Sequence, residues 1–69
     1  MNIKEAIAAI TRGMLIDCTR EEYPDTRRAV QIYAGKCIDN GQDVYAIIAL
    51  QEIKRLDKEL NYPYLPKEE

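Results

Sequence analysis

The sequence contains no histidine, serine, tryptophan or phenylalanine among its 69 residues. Without histidine or serine, the serine triad, the cysteine–histidine pair and histidine acid–base catalysis are all excluded. The catalytic side chains that remain are carboxylates, lysines and tyrosines, in a chain too short to enclose a deep cleft. We therefore expect a protein that is not an enzyme and that uses no cofactor.

Cysteine is scarce, and Cys18 and Cys37 are the only two. They form no Cys-x-x-Cys pair, and two thiols without histidine make a poor zinc site. The N-terminal segment lacks a basic region followed by a long apolar run, and no segment approaches the roughly 20 apolar residues of a membrane span. We expect a soluble, cytoplasmic protein in which both thiols are reduced and packed as small apolar side chains.

A strong charge of either sign is also missing, since 10 basic and 12 acidic side chains give a net charge of −2. A chain with this balance has no general attraction for nucleic-acid phosphates or anionic lipids. A helix-turn-helix would need a recognition helix with base-reading side chains, whereas the segment after Gly41 is largely apolar. We expect neither a nucleic acid nor a membrane as a partner.

The segment DNGQD at 39–43 has the composition of a calcium-binding loop but not its spacing. In an EF-hand loop that starts at Asp39, the twelfth residue must be a bidentate carboxylate, whereas here it is Leu50. We expect no metal site.

Apolar residues repeat at intervals of three and four in three segments, which is typical of amphipathic helices. The first segment begins with a capping-box pattern at Asn2 and Glu5. Its periodicity predicts a helix that continues through Gly13 to about Cys18, with an earlier end near Gly13 as the alternative. Its apolar stripe consists of Ile3, Ile7, Ile10 and Met14.

The second helix is predicted beyond Pro24, with Asp25 or Thr26 as its N-cap, and Gly41 is suited to close it. The third is predicted from residue 42 or 43 to about residue 60, and the proline-containing segment after it should run extended. The fold class is therefore all-α: a small three-helix domain over residues 1–61, expected to assemble into an oligomeric bundle, with an extended tail over residues 62–69.

The third predicted helix is apolar on two opposite sides. At about 100° per residue, Val44, Ile47 and Ile48 lie nearly opposite Ile53 and Leu56. A helix that is apolar on both faces is normally buried on both faces. A short chain has too few elements to cover both sides of its last helix.

Two arrangements would bury the second face. The first helix could cover it with Leu15 and Ile16, which lie off that helix's main stripe. Alternatively, a second copy or another protein could cover it, which suits a chain whose own core is small. We favour the second arrangement and predict a homo-oligomer, or a complex with a host protein. The residues predicted to make this contact are Val44, Tyr45, Ile47 and Ile48.

The segment Thr19–Arg28 offers a second possible site, because it holds three arginines beside a helix start. Free backbone N–H groups in a first helical turn, flanked by guanidinium groups, suit a phosphate or a carboxylate. The same segment contains three carboxylates, which could pair with the arginines as exposed ion pairs of about 0–1 kcal/mol each. In the first interpretation, a phosphorylated small molecule would be bound by Arg20, Thr26, Arg27 and Arg28.

The opening segment NIKEAIAAI resembles the starts of many short proteins encoded by bacteriophages and prophages of low-GC Gram-positive bacteria. Those proteins commonly end in a charged amphipathic helix, as LQEIKRLDKEL does here. The resemblance implies an accessory protein that works by stoichiometric binding, such as an inhibitor of a host factor or of a defence system. It identifies no functional residues.

The sequence thus predicts a protein that acts by binding and not by catalysis. The leading hypothesis is a protein-interaction module or inhibitor that uses the second face of the third helix. The alternative is a homo-oligomer that sequesters a phosphorylated small molecule or nucleotide signal through the arginine cluster. The two hypotheses place the functional surface on different elements.

Overall fold

The computed structural model describes residues 2–64, which form three α-helices and the segments between them. Helix α1 spans Ile3–Arg12, α2 spans Tyr23–Asp39 and α3 spans Asp43–Glu59. The prediction of a small all-α domain of three helices is confirmed. None of the helices within residues 2–64 has the length and apolar content that crossing a bilayer requires.

Helix α1 begins at the predicted cap. The Asn2 Oδ1 atom accepts a hydrogen bond from the Glu5 N–H at 2.8 Å, which satisfies one of the backbone donors left free at a helix start. The inner face of α1 is formed by buried Ala6, Ala9 and Ile10. Because two of these three side chains are small, α1 contributes only a narrow surface to the core.

The prediction that α1 continues to about Cys18 is wrong, and the alternative end near Gly13 is the one observed. Gly13 has a φ of 70°, a left-handed conformation that glycine adopts without steric strain. Its N–H donates to the Ile10 carbonyl, and the Met14 N–H donates to the Ala9 carbonyl at 2.8 Å. This pair of hydrogen bonds is a Schellman motif, which ends the helix although the apolar period continues.

Helix α2 begins earlier than predicted because a capping box precedes Pro24. The Glu22 N–H donates to Thr19 Oγ1 at 3.2 Å, and the Thr19 N–H donates to Glu22 Oε1 at 2.9 Å. This reciprocal pair is the Thr-x-x-Glu signature of a helix start, and its turn leads directly into α2. The prediction that Asp25 or Thr26 caps α2 is therefore wrong.

Helices α2 and α3 form an antiparallel pair around most of the core. Gly41, with a φ of 73°, follows the end of α2 as predicted, and α3 begins at the predicted Asp43. A hydrogen bond between Tyr23, at the start of α2, and Asp57, near the end of α3, shows the antiparallel direction. The buried core residues are Ala6, Ala9, Ile10, Ile16, Tyr23, Val30, Ala34, Cys37, Ala46, Ala49, Ile53 and Leu56.

The residues that follow α3 pack against the start of α2. The Tyr62 ring contacts Tyr23 edge-on, with centroids 5.2 Å apart, and the Tyr64 ring contacts Tyr62 in the same way at 5.1 Å. Such edge-to-face contacts stabilise beyond the area they bury. The predicted tail thus begins with Tyr62, which packs against α2, and Tyr64, which contacts Tyr62 and the turn before α2. Its remainder, residues 65–69, lies outside the described residues.

Pro24 supplies a further attachment point for this segment. A proline has no backbone N–H, so the carbonyl four residues before it, at Arg20, lacks its usual helical donor. The Tyr64 hydroxyl donates to that carbonyl at 3.0 Å. The turn before α2 and the C-terminal segment are therefore joined through the Arg20 carbonyl, an acceptor that the proline leaves available.

Candidate functional site

The exposed side of α3 is the leading candidate for a contact surface. Val44, Ile47 and Leu50 are 67%, 55% and 49% exposed. They follow one another at intervals of three residues, so they are neighbours along the helix surface. We call these three residues the outer row. Single exposed apolar residues are normal on a protein, whereas contiguous apolar surface is a feature of interaction sites.

The four residues predicted for association divide into two groups. Val44 and Ile47 belong to the outer row, whereas Tyr45 and Ile48 are half-buried and pack against the core. Ile48 lies one turn before Glu52 and shares the side of α3 that the segment after α1 covers. Association itself stays a prediction, and the part of the predicted set that is available for it is Val44 and Ile47.

The outer row stays exposed because the segment after α1 is attached to a different side of α3. The Ile16 N–H donates to the Glu52 carboxylate at 2.9 Å, and the Ile16 carbonyl accepts a hydrogen bond from Arg55 at 2.9 Å. Ile16 is buried there, while Leu15 remains exposed. Of the two residues that could cover the second face of α3 within the chain, only Ile16 packs against α3. The outer row therefore remains exposed to solvent.

Glu52 is a buried carboxylate, only 8% exposed, that local sequence patterns do not distinguish from a surface residue. Arg55 donates to both of its oxygens, at 2.9 and 3.1 Å. Burial alone would raise the pKa of Glu52, but the hydrogen bonds from Arg55 and from the Ile16 N–H outweigh burial and hold this pKa below its ordinary value. The pair therefore stays charged and fixes the backbone of the segment after α1.

Arg27, one of the predicted anion ligands, is bound to a carboxylate of its own chain. Its Nε and Nη2 atoms donate to the two oxygens of Asp57 at 2.9 and 3.1 Å. The Tyr23 hydroxyl donates to the same carboxylate. The hydrogen bonds from Arg27 hold the pKa of Asp57 below its ordinary value, and burial raises the pKa of Tyr23. This cluster joins α2 to α3.

The other three predicted anion ligands do not converge on Arg27. Thr26 is buried in the core-facing side of α2. The Arg20 guanidinium stacks over the Tyr64 ring, 4.3 Å from its centroid. Arg28 is exposed. The four side chains therefore do not form one anion-binding cluster, and Arg27 pairs with Asp57, which lies outside this segment.

The comparisons with known proteins give no further information about these two candidate sites. No protein-family model, no curated protein and no solved structure matches the chain. The resemblance to phage-encoded proteins therefore stays a prediction. Within residues 2–64, no group of three or more side chains is arranged to hold a metal ion. The exposed apolar surface of α3 is the candidate surface among the described residues that the sequence also predicted.

Proposed function

We propose that the protein is a non-catalytic binding module that acts stoichiometrically through the outer row of α3. The observation that supports this proposal is the exposure of Val44, Ile47 and Leu50 in consecutive turns of one helix. A row along a convex helix offers no enclosed cavity for a small molecule. The partner is therefore a folded protein: a second copy of the chain or a host protein.

The energy available from the outer row limits how the partner binds. Full burial of a Val, Leu or Ile side chain contributes about 1.5–3 kcal/mol relative to full exposure. Since these three are about half to two-thirds exposed, roughly 1 kcal/mol each remains to be gained. Association itself costs about 4–15 kcal/mol. The partner must therefore also cover flanking residues, and Ile38, exposed in the last turn of α2, lies at the same end of the helix pair as Val44.

The biological role in this proposal is that of an accessory or inhibitory protein, as the resemblance to phage-encoded proteins implies. It acts in the cytoplasm, a compartment that keeps free thiols reduced. The structure is compatible with this location, since Cys18 and Cys37 are both free and Cys37 is buried in the core. Inhibition would follow from occupying a surface of the partner, with one chain needed for each target.

A substitution on the outer row tests the proposal. Ile47→Glu should abolish a stoichiometric complex recovered with the tagged chain from bacterial cells, because it places a charge in the centre of the contact. Ile32→Glu is the matched control, since Ile32 is 54% exposed on α2 and Ile47 is 55% exposed on α3. Circular dichroism verifies that both variants remain helical.

The proposal predicts equal binding by wild type and Ile32→Glu, and loss of binding in Ile47→Glu. Equal recovery of the partner with Ile47→Glu and wild type would show that α3 is not the contact surface. Loss of binding in Ile32→Glu with retention in Ile47→Glu would move the site to α2.

A further inference from the structure

One side of α3 carries an acidic residue, two apolar residues and a basic residue in regular order. Asp43, Ile47, Leu50 and Lys54 are separated by four, three and four residues, which places them in one stripe along the helix. All four side chains are exposed. We call this set the acid-to-base stripe. It shares Ile47 and Leu50 with the outer row.

The acid-to-base stripe is complementary to its own reverse. Reading it backwards exchanges Asp43 with Lys54 and Ile47 with Leu50, because the spacing is the same on both sides of its midpoint. A two-fold axis through that midpoint brings every acid opposite a base and every apolar residue opposite an apolar one. A two-fold interface needs such a self-complementary surface. Parallel helices would instead place like charges together.

We propose that the chain forms a two-fold homodimer in which two α3 helices pack antiparallel through the acid-to-base stripe. This inference rests on the proposed function, because it identifies the partner of the outer row as a second copy of the chain. The charge order supports this partner, since it matches itself in reverse. Antiparallel packing also opposes the two helix dipoles and places the positive start of each α3 near the negative end of the other.

The size of the contact sets the expected affinity. Helix α3 has 17 residues, which corresponds to a length of about 25 Å. Two helices of this length bury less than the ~800 Å² per partner of a standard interface. We therefore expect a weak dimer, with a dissociation constant of roughly 10–100 μM.

Charge reversal tests the pairing of Asp43 with Lys54 of the second copy. Dimerisation of the full chain is measured by sedimentation equilibrium at protein concentrations from about 1 μM to 1 mM, which bracket the expected dissociation constant. Asp43→Lys alone, or Lys54→Asp alone, places like charges opposite each other twice per dimer. Each should weaken dimerisation by about tenfold or more. An equimolar mixture of the two variants restores both opposite-charge pairs, so it should form a heterodimer with an affinity close to that of wild type.

Two control variants separate this effect from a general effect of charge. Asp25→Lys reverses another exposed acidic residue in the first turn of a helix, so it matches Asp43→Lys in its effect on the helix dipole. Lys36→Asp reverses an exposed lysine on α2. Neither residue lies on α3, and both controls should change the dissociation constant by no more than about twofold.

Each other outcome overturns the inference in a different way. A wild-type chain that is monomeric at the highest concentration excludes the homodimer, while the complex-recovery test of Ile47→Glu still decides whether the outer row binds another protein. A dimer that is lost in Ile47→Glu but unchanged by both charge reversals excludes the antiparallel pairing and supports the proposed function. Single-variant loss without recovery in the mixture also excludes the antiparallel pairing.

Discussion

Replacing Asp57 by alanine should destabilise the protein, because this carboxylate joins α3 to α2 at three points. It accepts two hydrogen bonds from Arg27 and one from Tyr23. After the substitution, the Tyr23 hydroxyl still lies 3.1 Å from the Ile53 carbonyl and can donate to it. Arg27 is 26% exposed and can be solvated by water. Tyr23 and Arg27 therefore each lose only part of their stabilising interactions.

These remaining interactions determine how much the substitution lowers the free energy of unfolding. Hydrogen bonds to charged groups contribute about 1.5–3 kcal/mol each, so three would suggest roughly 5–9 kcal/mol. Both donors keep other partners and Asp57 is 28% exposed, so solvent screening reduces the sum. We expect a decrease of about 2–3 kcal/mol in the free energy of unfolding. For a domain of this size, this corresponds to a fall of roughly 10–20 °C in Tm.

Urea unfolding followed by far-ultraviolet circular dichroism measures this difference, and its pH dependence identifies the cause. The hydrogen bonds from Arg27 hold the folded-state pKa of Asp57 below its ordinary value of 3.8. The stabilisation by Asp57 is therefore complete above that ordinary value and is lost as pH falls through the folded-state pKa. The difference between wild type and Asp57→Ala should be constant from about pH 5 to pH 8 and should shrink below about pH 4.

Exposed Asp39 provides the control, because Asp39→Ala should change stability by no more than about 0.5 kcal/mol. The measurements belong at about 5 μM protein, below the expected dissociation constant of the dimer, so that association does not contribute. The reasoning fails if Asp57→Ala is as stable as Asp39→Ala at pH 7. It also fails if the destabilisation by Asp57→Ala is the same at pH 7 and at about pH 2.5.

Two further predictions concern other contacts and use the same unfolding assay. Glu52→Ala should destabilise by about 2–4 kcal/mol, because it leaves Arg55 and the Ile16 N–H without their buried acceptor. The control is Glu59→Ala, at an exposed partner of Arg55, which should have an effect below about 1 kcal/mol. Similar values for both variants would contradict the buried role of Glu52. Gly13→Ala should destabilise by about 1 kcal/mol because Gly13 has a positive φ. Gly35→Ala should instead stabilise by about 0.5–1 kcal/mol, since Gly35 is helical and a Cβ there meets open space. A change of the same sign in both variants would contradict these two backbone conformations.

The helix boundaries could be predicted where one local signal acted alone. The Asn2 cap and the left-handed Gly41 needed no tertiary information. Where two local signals compete, the sequence alone does not locate the helix boundary. The apolar period through Met14 predicts a longer α1, but a glycine that supplies a Schellman motif can end a helix whatever the period. At the start of α2, Pro24 predicts a helix beyond it, whereas the capping box of Thr19 and Glu22 begins the helical turn before it.

The candidate site was predictable only in part. Helical periodicity was enough to identify a second apolar side of α3, including Val44 and Ile47. It could not show which residues of that side remain exposed, because this depends on where the segment after α1 attaches. That attachment uses the backbone of Ile16, which has no sequence signature. The pairing of Arg27 with Asp57 spans 30 residues, and no local pattern indicates it.

The attachment of Ile16 through its main-chain N–H and carbonyl also determines how freely this part of the protein can evolve. Glu52 and Arg55 bind main-chain atoms that every amino acid except proline carries, so this attachment does not depend on the side chains of the flanking residues. Met14, Leu15 and Asp17 are all exposed. The Met14 N–H is needed by the Schellman motif, so a combinatorial library at these three positions that omits proline should retain the fold. The segment could then acquire new recognition properties without any change to the helices that support it.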